Sequence, residues 1–385
     1  MYNFEKYLDV FRKKIDMRME INNPKSQKCE FFYSDEKGNY GKDKCMLKGD
    51  GWTRSFLLGA VAYMYFHYKD EKYLDYLRKQ YSVYYTYQYE NLREYFHDIG
   101  FLFSLYSGAL YAVSGDEDAF RMNLKAADEF TKGFVPEVGM CDGFGGACSE
   151  FVMPIIDDVM NLSLVMWAWR KTKNLGYYRI LNSHMRNVKK YMLRDDFTVR
   201  HSLIFDSKSG DMLGERNFCG FAPGSIWARG QMWALYGFIN ALKATGDVEI
   251  YGDTINGQLN RLISLIGDKR IPDWDLCKLS EKPKFEDTSA AAIMAAAMLK
   301  LNDVKDIEEN GRKVNLTGSA KNYNKIAEDI IEKLLSEYMY DDECMSILKG
   351  GQVGELSSGT VWGDYFIIEA IMKLMYGKEC PDFWV

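Results

Sequence analysis

The sequence predicts an all-α protein whose helices form a closed ring of six hairpins, an (α/α)6 barrel. Apolar residues recur at spacings of three and four along about twelve segments, which is the period of amphipathic and buried helices. Short polar turns alternate with long loops rich in Gly, Pro and aromatic residues. Several of the helices that follow a long loop are apolar on most of their circumference, as expected for helices enclosed by others.

Helix start and stop signals place the predicted helices in chain order. They span residues 2–20, 52–69, 71–90, 98–115, 117–132, 156–173, 177–194, 227–246, 248–267, 287–302, 319–338 and 361–376. Short polar turns that lead into an aromatic residue join the two helices of a hairpin, at residues 69–73, 115–120, 173–177 and 246–251. This spacing is a degenerate repeat of roughly 50 to 70 residues.

Long loops separate the hairpins from one another, at residues 21–51, 133–155, 195–226, 268–286 and 339–360. Since long loops carry function more often than short turns do, we expect the functional mouth of the ring on their side. Within one of them, FTVRHSLIFD alternates apolar and polar residues and ends at a Ser-Lys-Ser-Gly turn, which predicts a short strand.

An open solenoid of helix pairs is the structural alternative to the ring. Helices 156–173 and 287–302 are apolar on nearly all sides, and such helices belong inside a closed structure. Neither a low-complexity linker nor a break in composition divides the chain, so we expect one catalytic domain over residues 1–385.

Composition excludes several classes of protein. The 385 residues are 47% hydrophobic and 15% aromatic, which predicts a large core. A net charge of −6 with interspersed signs argues against nucleic acid or an anionic membrane as partner. The charged amino-terminal segment lacks the apolar stretch of a signal peptide, no run is long enough to span a membrane, and the eight cysteines are too sparse for a disulfide framework. We therefore expect a cytoplasmic protein with reduced thiols.

The starts of the inner helices are predicted to meet at the mouth, and they carry an unusual set of residues. Aromatic faces beside carboxylates are typical of sugar-binding sites, because rings stack on the apolar faces of sugars and acids bind hydroxyl groups. The set comprises Trp52, His97, Asp98, Asp157, Trp227, Arg229, Trp233, Asp287, Asp364 and Tyr365.

Two adjacent acids, Asp157 and Asp158, stand at the head of the otherwise apolar helix in FVMPIIDDVMNLSLVMWAWR. The structural interpretation makes Asp157 an N-cap and Asp158 a solvated neighbour. Asp98 and Asp287 also fit as N-caps of their helices. The functional interpretation places these carboxyl groups at the mouth of the ring.

Arg229 lies at a helix start between Trp227 and Trp233, where a cation is electrostatically unfavourable unless an anion meets it. Trp52 and Trp233 also fit a hydrophobic core, and His97 also fits a buried histidine with satisfied hydrogen bonds. Four histidines are too few to predict a zinc cluster, and we expect no cofactor. Nucleotide-binding loops, the GxSxG elbow and HExxH are all missing from the sequence.

Eight ordered motifs resemble those of one family, the unsaturated glucuronyl hydrolases of glycoside hydrolase family 88. They are GDGWTRSFLLG, FHDIGF, IIDDVMNLSLVMWA, RHSLIFDSKSG, SIWARGQMWALYGF, DWDL, EDTSAAAI and GDYFIIEA. The unsaturated rhamnogalacturonyl hydrolases of family 105 share the barrel but match these motifs less well. The resemblance implies an (α/α)6 barrel that acts on oligosaccharides left by polysaccharide lyases, whose non-reducing end carries a C4=C5 double bond conjugated with a carboxylate.

By this resemblance, Asp157 is the general acid and base and Asp98 is its essential partner. The implied reaction is hydration of the C4=C5 double bond, unlike glycoside hydrolysis through two flanking carboxylates and an oxocarbenium ion. Such an acid has to hold a proton near neutral pH, so we expect burial and the charge of Asp98 to raise the pKa of Asp157. The implied chemistry needs proton transfer and water, without metal or organic cofactor.

The resemblance also implies a set of substrate-binding residues. Arg229 and His201 would bind the uronate region, and Trp52 and Trp233 would stack on the sugar or wall its site. His97 and Tyr365 would contact the substrate at the mouth.

Two further positions of the implied site depart from the family. Cys219 stands where the family commonly has glutamine, and a thiol cannot make the hydrogen bonds of an amide. Phe144 takes the place of a family tryptophan in the loop over residues 140–147.

A glycosaminoglycan disaccharide is the favoured substrate, and three alternatives stay open. They are another uronide hydrolase, including one for unsaturated rhamnogalacturonan; a non-catalytic sugar-binding barrel; and an epimerase that would use His97 and His201 across the mouth. Lys208, Arg216 and Lys349 are candidates for binding sulfate, although long cations in loops are commonly only solvated. The oligomeric state cannot be predicted from the sequence.

Overall fold

The computed structural model describes residues 4–22, 29–30, 32–43, 51–86, 96–144, 150–278, 285–354 and 356–385. The helices in chain order are α1 Phe4–Ile21, α2 Arg54–Tyr68, α3 Glu71–Lys79, α4 Tyr81–Thr86, α5 Ile99–Phe103, α6 Ala109–Ser114, α7 Glu117–Thr131, α8 Asp158–Asn161, α9 Ser163–Thr172, α10 Leu175–Asn187, α11 Ala228–Thr245, α12 Val248–Ile266, α13 Thr288–Lys300, α14 Tyr323–Glu337 and α15 Val361–Tyr376. Two π-helical segments, Ser104–Gly108 and Val188–Met192, join α5 to α6 and extend α10.

The predicted helices are confirmed in number and order wherever the structure describes them. The segment predicted at 71–90 is the pair α3 and α4, and its residues 87–90 lie outside the described residues. The segment predicted at 156–173 is α8 followed by α9, which begins at Ser163.

An inner ring is formed by α2, α5–α6, α8–α9, α11, α13 and α15, each of which packs on the next. Contact between α15 and α2 closes the ring. Outside it, α3, α7, α10, α12 and α14 each pack on the inner helix that precedes them in the chain, and α1 packs on α2 and α15. The closed (α/α)6 ring is therefore confirmed, and the open solenoid is excluded. One domain over residues 1–385 stays a prediction.

The short turns between inner and outer helices share one local structure. Lys69, Gly115 and Lys173 have positive φ angles of 54°, 71° and 56°, which ends the inner helix in a left-handed residue. The next residue is an Asx N-cap, because the side chain of Asp70 accepts a hydrogen bond from Lys72 N. Asp116 and Asn174 cap α7 and α10 in the same way. The turn repeat seen in the sequence therefore consists of a left-handed residue that ends the inner helix and an Asp or Asn that caps the outer helix after it.

Short antiparallel strands form in the long loops. They are β1 Cys29–Glu30, β2 Lys42–Asp43, β3 Phe134–Val135, β4 Met140–Cys141, β5 Phe151–Val152, β6 Ser202–Asp206, β7 Met212–Arg216, β8 Gly351–Val353 and β9 Leu356–Ser358. The largest sheet has the order β5-β6-β7. Its central strand lies within the predicted strand segment 197–206, and its hairpin turn is held by Asp206 Oδ1, which accepts from Lys208 N and Ser209 N.

Aromatic side chains fill the inside of the ring. Trp233, Phe366 and Trp384 pack together, with centroid separations of 5.5 Å and 6.0 Å from the Phe366 ring. Phe101 contacts both tryptophans at 5.4 Å and 5.9 Å and extends this packing toward the long-loop face. The cavity described below therefore has a rigid aromatic floor. Within the described part of the chain, no helix has both the length and the apolar character needed to cross a membrane.

Candidate active site

A cavity of about 240 Å³ opens on the long-loop face, where the inner helices begin. It is lined by Trp52, His97, Asp98, Phe101, Phe144, Ile155, Asp157, His201, Phe218, Cys219, Trp227 and Arg229. A larger depression of about 800 Å³ lies beside Tyr338 and Lys349. We place the site in the smaller cavity because acids, histidines and an arginine converge there.

Eight of the ten site residues expected from the sequence come together in this cavity. They are Trp52, His97, Asp98, Phe144, Asp157, His201, Cys219 and Arg229. Segments far apart in the chain supply them, and the beginnings of α2, α5, α8 and α11 bring these segments together.

Trp233 and Tyr365 require a correction, because both side chains are fully buried and neither lines the cavity. Trp233 packs on Phe101 and Phe366 inside the ring. Tyr365 packs on Phe56 and Phe366, and its ring also fills the space beside Gly59. Each lies one turn or more inside its helix, so its side chain reaches the core below the floor of the site.

Asp157 occupies the N-cap position of α8, but its side chain makes no capping hydrogen bond. Its Oδ2 atom is buried and has no hydrogen-bond partner among the described residues. Burial raises the pKa of Asp157, and the neighbouring His201, His97 and Arg229 oppose this shift. The interpretation of Asp157 as a capping residue is therefore wrong, and a carboxyl group that holds its proton more tightly than usual lines the cavity.

Asp158 is fully buried, which corrects its interpretation as a solvated neighbour. Its Oδ2 atom accepts a hydrogen bond of 2.9 Å from Ile155 N and so fixes the turn that carries Asp157. Burial raises the pKa of Asp158 to about 8, so this second carboxyl is largely protonated at neutral pH. The two adjacent acids thus have different positions: one lines the cavity and the other holds the backbone behind it.

His97 and Asp98 form an ion pair in the wall of the same cavity, with 3.2 Å between Nε2 and Oδ1. The Nδ1 atom of His97 bonds to the carbonyl oxygen of Gly143. Burial disfavours the charged imidazole, but the charge and hydrogen bond of Asp98, together with Asp158 and Asp157, raise the pKa of His97 to about 10. His97 is therefore a cation at neutral pH, with both ring nitrogens engaged.

Asn161 fixes the relative positions of Asp98 and Asp157. Its Oδ1 atom accepts from Phe101 N at 2.7 Å, and its Nδ2 atom donates to Asp157 O at 3.2 Å. Gly100 allows this approach, since a Cβ atom there would lie 2.3 Å from Asn161 Cα. The helices that bear the two acids are therefore in direct contact beneath the cavity.

His201 lies beside Asp157, with 3.8 Å between Nε2 and Oδ2. Its Nδ1 atom lies 3.0 Å from Phe218 N and 3.1 Å from Asn217 Oδ1, so the loop that follows β7 holds the ring in place. Burial lowers the pKa of His201, although Asp157 opposes the shift. A neutral imidazole therefore lies beside Asp157 at the cavity.

Arg229 meets an anion within the protein. Its Nη1 atom lies 2.9 Å from Asp287 Oδ2 and donates to Gln352 O at 3.1 Å. The guanidinium carbon lies 4.9 Å from the ring centroid of Trp227 and 5.1 Å from that of Trp362. The structure therefore holds this cation in one orientation at the cavity wall.

Asp287 is an N-cap, as its structural interpretation proposed, because it accepts hydrogen bonds from Ser289 N and Ala290 N. Its carboxylate thus serves α13 and Arg229 together, from behind the cavity wall. Asp364 is likewise buried behind the mouth, where its carboxylate binds Arg18.

Phe144 and Phe218 form the outer part of the cavity, with exposed fractions of 40% and 45%. Their ring centroids are 5.6 Å apart in an edge-to-face arrangement. Cys219, also exposed, follows Phe218 in the loop. Trp52 forms a deeper wall and stacks on Trp362 at 5.3 Å.

Four lining residues were absent from the expected set: Phe101, Ile155, Phe218 and Trp227. Phe101 could have been found, because it lies three residues after Asp98 and so shares its helix face. The sequence places Trp227 at the mouth but assigns it no role. Phe218 lies in an irregular loop, where no periodicity indicates the direction of a side chain.

No family model matches the chain. An unsaturated glucuronyl hydrolase of Bacillus sp. (strain GL1) is 26% identical over 347 residues, which cover 88% of this chain and 90% of that protein. An unsaturated chondroitin disaccharide hydrolase of Streptococcus pneumoniae (strain ATCC BAA-255 / R6) is 27% identical over 297 residues, covering 75% and 72%. The crystal structure of the Bacillus sp. GL1 unsaturated glucuronyl hydrolase superimposes with a TM-score of 0.83 at 23% identity, covering 97% of this chain and 98% of that one. These similarities confirm the resemblance seen in the motifs and the barrel fold.

Proposed function

We propose that this chain, identified as a relative of the unsaturated glucuronyl hydrolases, is a glycosidase that removes a 4,5-unsaturated uronic acid from the non-reducing end of an oligosaccharide. One observation carries the proposal: the buried Oδ2 atom of Asp157 has no hydrogen-bond partner among the described residues and belongs to a carboxyl whose pKa is raised. A proton donor of this kind can act on a substrate atom that enters the cavity.

In the first step, protonated Asp157 transfers its proton to C4 of the unsaturated ring. The C4=C5 electron pair forms the new C4–H bond, and positive charge develops at C5, where the ring oxygen stabilises it. The Asp157 carboxylate then accepts a proton from a water molecule whose oxygen bonds to C5. The acid is thereby regenerated, and the net change is the addition of water across the double bond.

The product of this addition has both a hydroxyl group and the ring oxygen on C5, and is therefore a hemiketal. It opens to a ketone at C5, and the ring oxygen leaves as a hydroxyl group on C1. That carbon is then a hemiacetal, which releases the leaving sugar and becomes an aldehyde. Cleavage of the glycosidic bond thus follows from hydration.

The charges around Asp157 suit this sequence of proton transfers. Asp98 is paired with the His97 cation and raises the pKa of Asp157. The imidazole of His201 and the guanidinium of Arg229 line the same cavity and would bind the carboxylate of the unsaturated ring. Such binding would also fix the position of C4 relative to Asp157.

Aromatic residues suit the rest of the substrate. Trp52 would pack against the unsaturated ring, and Phe144 would contact the sugar at the cavity opening. We propose a glycosaminoglycan disaccharide as substrate, since the Streptococcus pneumoniae relative is a chondroitin disaccharide hydrolase. Unsaturated rhamnogalacturonan and sugar binding without catalysis are the alternatives that the experiment below distinguishes.

We also propose that the protein acts in the cytoplasm, without nucleic acid or membrane as partner. Among the described residues, Cys141, Cys219, Cys344 and Cys380 are free thiols, which suit a reducing compartment. Detection of the native protein in a membrane or extracellular fraction would contradict this.

The proposed function is tested by following the ultraviolet absorbance of an unsaturated chondroitin disaccharide, since hydration destroys the conjugated double bond. We expect the wild-type protein to remove the absorbance and Asp157→Asn to be slower by about a thousandfold, as for the loss of a general acid. Asp211→Asn, an exposed acid in the β6–β7 turn, is the matched control and should retain full activity.

Different outcomes separate the alternatives. If the absorbance does not change with unsaturated products from chondroitin, heparin or rhamnogalacturonan, the protein is a barrel that binds sugars without catalysis. If the absorbance is lost only with the rhamnogalacturonan product, the substrate is an unsaturated rhamnogalacturonan product and the proposed mechanism still applies. Equal rates for the wild type and Asp157→Asn would refute the role of Asp157.

A further inference from the structure

The arginine in the cavity wall is paired with a carboxylate that lies outside the cavity. Arg229 is the second residue of α11, where the positive end of the helix dipole disfavours a cation. Its Nη1 atom lies 2.9 Å from Oδ2 of Asp287, the residue before α13. Asp287 is fully buried and does not line the cavity, so a substrate cannot reach this carboxylate. The ion pair therefore joins the starts of two neighbouring inner helices.

The protein uses both oxygens of Asp287. Oδ1 accepts hydrogen bonds from Ser289 N at 3.1 Å, from Ala290 N at 3.3 Å and from Gln352 N at 3.3 Å. Oδ2 accepts a hydrogen bond from Arg229 at 2.9 Å. One oxygen thus holds the start of α13 and β8 together, and the other binds the guanidinium group.

The guanidinium of Arg229 keeps part of its hydrogen-bonding capacity. Its Nη1 atom donates to Asp287 and to Gln352 O, and the rings of Trp227 and Trp362 lie beside its central carbon. Among the described residues, its Nε and Nη2 atoms have no hydrogen bond. The ion pair therefore fixes the orientation of the guanidinium and leaves N–H groups for the carboxylate of a substrate.

The same ion pair affects the charge around Asp157. The titratable and charged groups that face Asp157 are His201 before β6, His97 and Asp98 before α5, Arg229 of α11 and the adjacent Asp158. Arg229 favours the ionised form of Asp157 and so opposes the rise in pKa that burial causes. A carboxylate 2.9 Å from the guanidinium offsets this effect of Arg229, and it does so more strongly in a buried site than in water.

We infer that Asp287 is a positioning residue of the proposed reaction: it offsets the charge of Arg229, so that the guanidinium binds the substrate carboxylate without drawing the proton from Asp157. This inference rests on the proposed function for the role of Asp157 as proton donor. A neutral residue in place of Asp287 would leave the cation at the cavity wall and expose Asp157 to its full charge.

The experiment substitutes Asp287 and follows kcat against pH with an unsaturated chondroitin disaccharide. Asp287→Asn keeps an oxygen for the cap of α13 but has no charge to offset that of Arg229. Asp364→Asn is the matched control, because Asp364 is also buried near the start of an inner helix and is also paired with an arginine. That arginine, Arg18, does not line the cavity. Thermal unfolding checks the fold of each variant.

We expect the alkaline decline of kcat to occur at lower pH in Asp287→Asn than in the wild type, because Asp157 then loses its proton more readily. At a pH above the decline of both proteins, kcat of Asp287→Asn should be about tenfold below that of the wild type, and on the acidic side the two should agree within about twofold. Asp364→Asn should keep the wild-type pH profile even where it is less stable. An unchanged profile for Asp287→Asn, or an equal loss of kcat at every pH, would overturn the inference.

A second measurement follows the proton of Asp157 without turnover. Asp157→Asn is introduced into the wild type and into Asp287→Asn, and the change in unfolding free energy that it causes is measured against pH. The stability that the Asp157 proton contributes is lost as the pH rises, and this loss should be complete at lower pH in the Asp287→Asn background. Turnover by the wild type without this displacement would overturn the inference and leave the proposed function intact. The displacement without any turnover would support the role of Asp287 as counter-charge and overturn the hydrolase.

If Asp287→Asn does not fold, the doubly neutral variant Asp287→Asn with Arg229→Gln decides the question, since replacing both members of a buried ion pair is better tolerated than replacing one. Its Asp157 proton, measured by the same unfolding profiles, should be lost at or above the pH found for the wild type. The reason is that Arg229 lines the cavity with Asp157, whereas Asp287 lies behind the wall. Loss of the proton at lower pH would show that Asp287 does not act by offsetting Arg229, and would overturn the inference.

Discussion

Two aspartates near the starts of inner helices, Asp157 at α8 and Asp364 in α15, have the same chemistry and opposite surroundings. Burial raises the pKa of each. The Oδ2 atom of Asp157 has no hydrogen-bond partner among the described residues. The carboxylate of Asp364 is surrounded by donors, namely Arg18 Nη1 at 3.2 Å, Tyr40 OH at 2.7 Å, and Ile347 N and Leu348 N at 2.9 Å each.

The difference shows that a raised pKa does not by itself identify a reactive acid in this fold. Asp364 is a structural anchor that joins α1 and the loop before β8 to the inner ring. Asp157 has unused hydrogen-bonding capacity in a cavity, and an incoming substrate can use it. The number of partners that the protein itself supplies separates the two roles.

The largest expected effect comes from removing the anchored carboxylate. Asp364→Ala should lower the free energy of unfolding by about 3 kcal/mol, because it leaves the buried guanidinium of Arg18 without this carboxylate. Asp157→Asn should leave the free energy of unfolding unchanged or raise it, since its buried Oδ2 atom has no hydrogen bond to lose among the described residues. Urea unfolding of both variants measures the contrast.

Asp211→Ala serves as the reference for a solvent-exposed acid and should change stability by less than about 0.5 kcal/mol. A loss with Asp157→Asn as large as that with Asp364→Ala would show that Asp157 is also an anchor. The distinction between the two helix starts would then fail.

A second expected effect is that stability and kcat depend on pH through the carboxyl group of Asp157. Burial raises the pKa of Asp157, so the folded protein retains a proton that the unfolded chain releases near pH 4. The stability that this group contributes is complete below about pH 4 and is lost as the pH rises through the raised native pKa. Because the proposed acid has to be protonated, kcat should fall about tenfold per pH unit above that value.

Profiles of kcat against pH and of unfolding free energy against pH, for the wild type and Asp157→Asn, test this expectation. As the pH rises, the free energy of unfolding of Asp157→Asn should increase relative to that of the wild type. A kcat that increases with pH over the same range would indicate that the carboxylate form starts the reaction.

The sequence was sufficient for the fold because its signals are local and repeated. Asp70, Asp116 and Asn174 cap their helices through bonds to residues two or three positions further along, so a turn pattern of a few letters predicts each hairpin. The apolar circumference of α13 predicted its place inside the ring for an equally local reason.

Within the site, the sequence predicted which helix starts meet but not which side chains turn toward the cavity. Trp233 was expected to wall the sugar and instead packs in the core, because its direction depends on Phe101 and Phe366 from other hairpins. Asp158 was expected in solvent, and its burial depends on how the turn before α8 folds back. Contacts between segments far apart in the chain decided both cases.

The smallest expected effect concerns Asp158, whose carboxyl group is intermediate between those of Asp157 and Asp364 in its number of hydrogen-bond partners. One of its oxygens accepts from Ile155 N, while Oδ1 is buried without a partner among the described residues. Asp158→Asn keeps an oxygen for Ile155 and is neutral, as is the protonated acid, so stability and kcat should change little. Asp158→Ala should lower the free energy of unfolding by about 1 kcal/mol, because a buried N–H group loses its acceptor.

Asp158→Ala should also reduce kcat more than it changes KM, since the turn that loses this bond positions Asp157 and not the bound sugar. Recovery of kcat in Asp158→Asn would assign the effect to the hydrogen bond at Ile155. Equal losses of kcat in both variants, with normal unfolding, would show instead that the acidic proton of Asp158 takes part in the reaction. Asp158 would then be a reactive acid like Asp157, and not a structural anchor like Asp364.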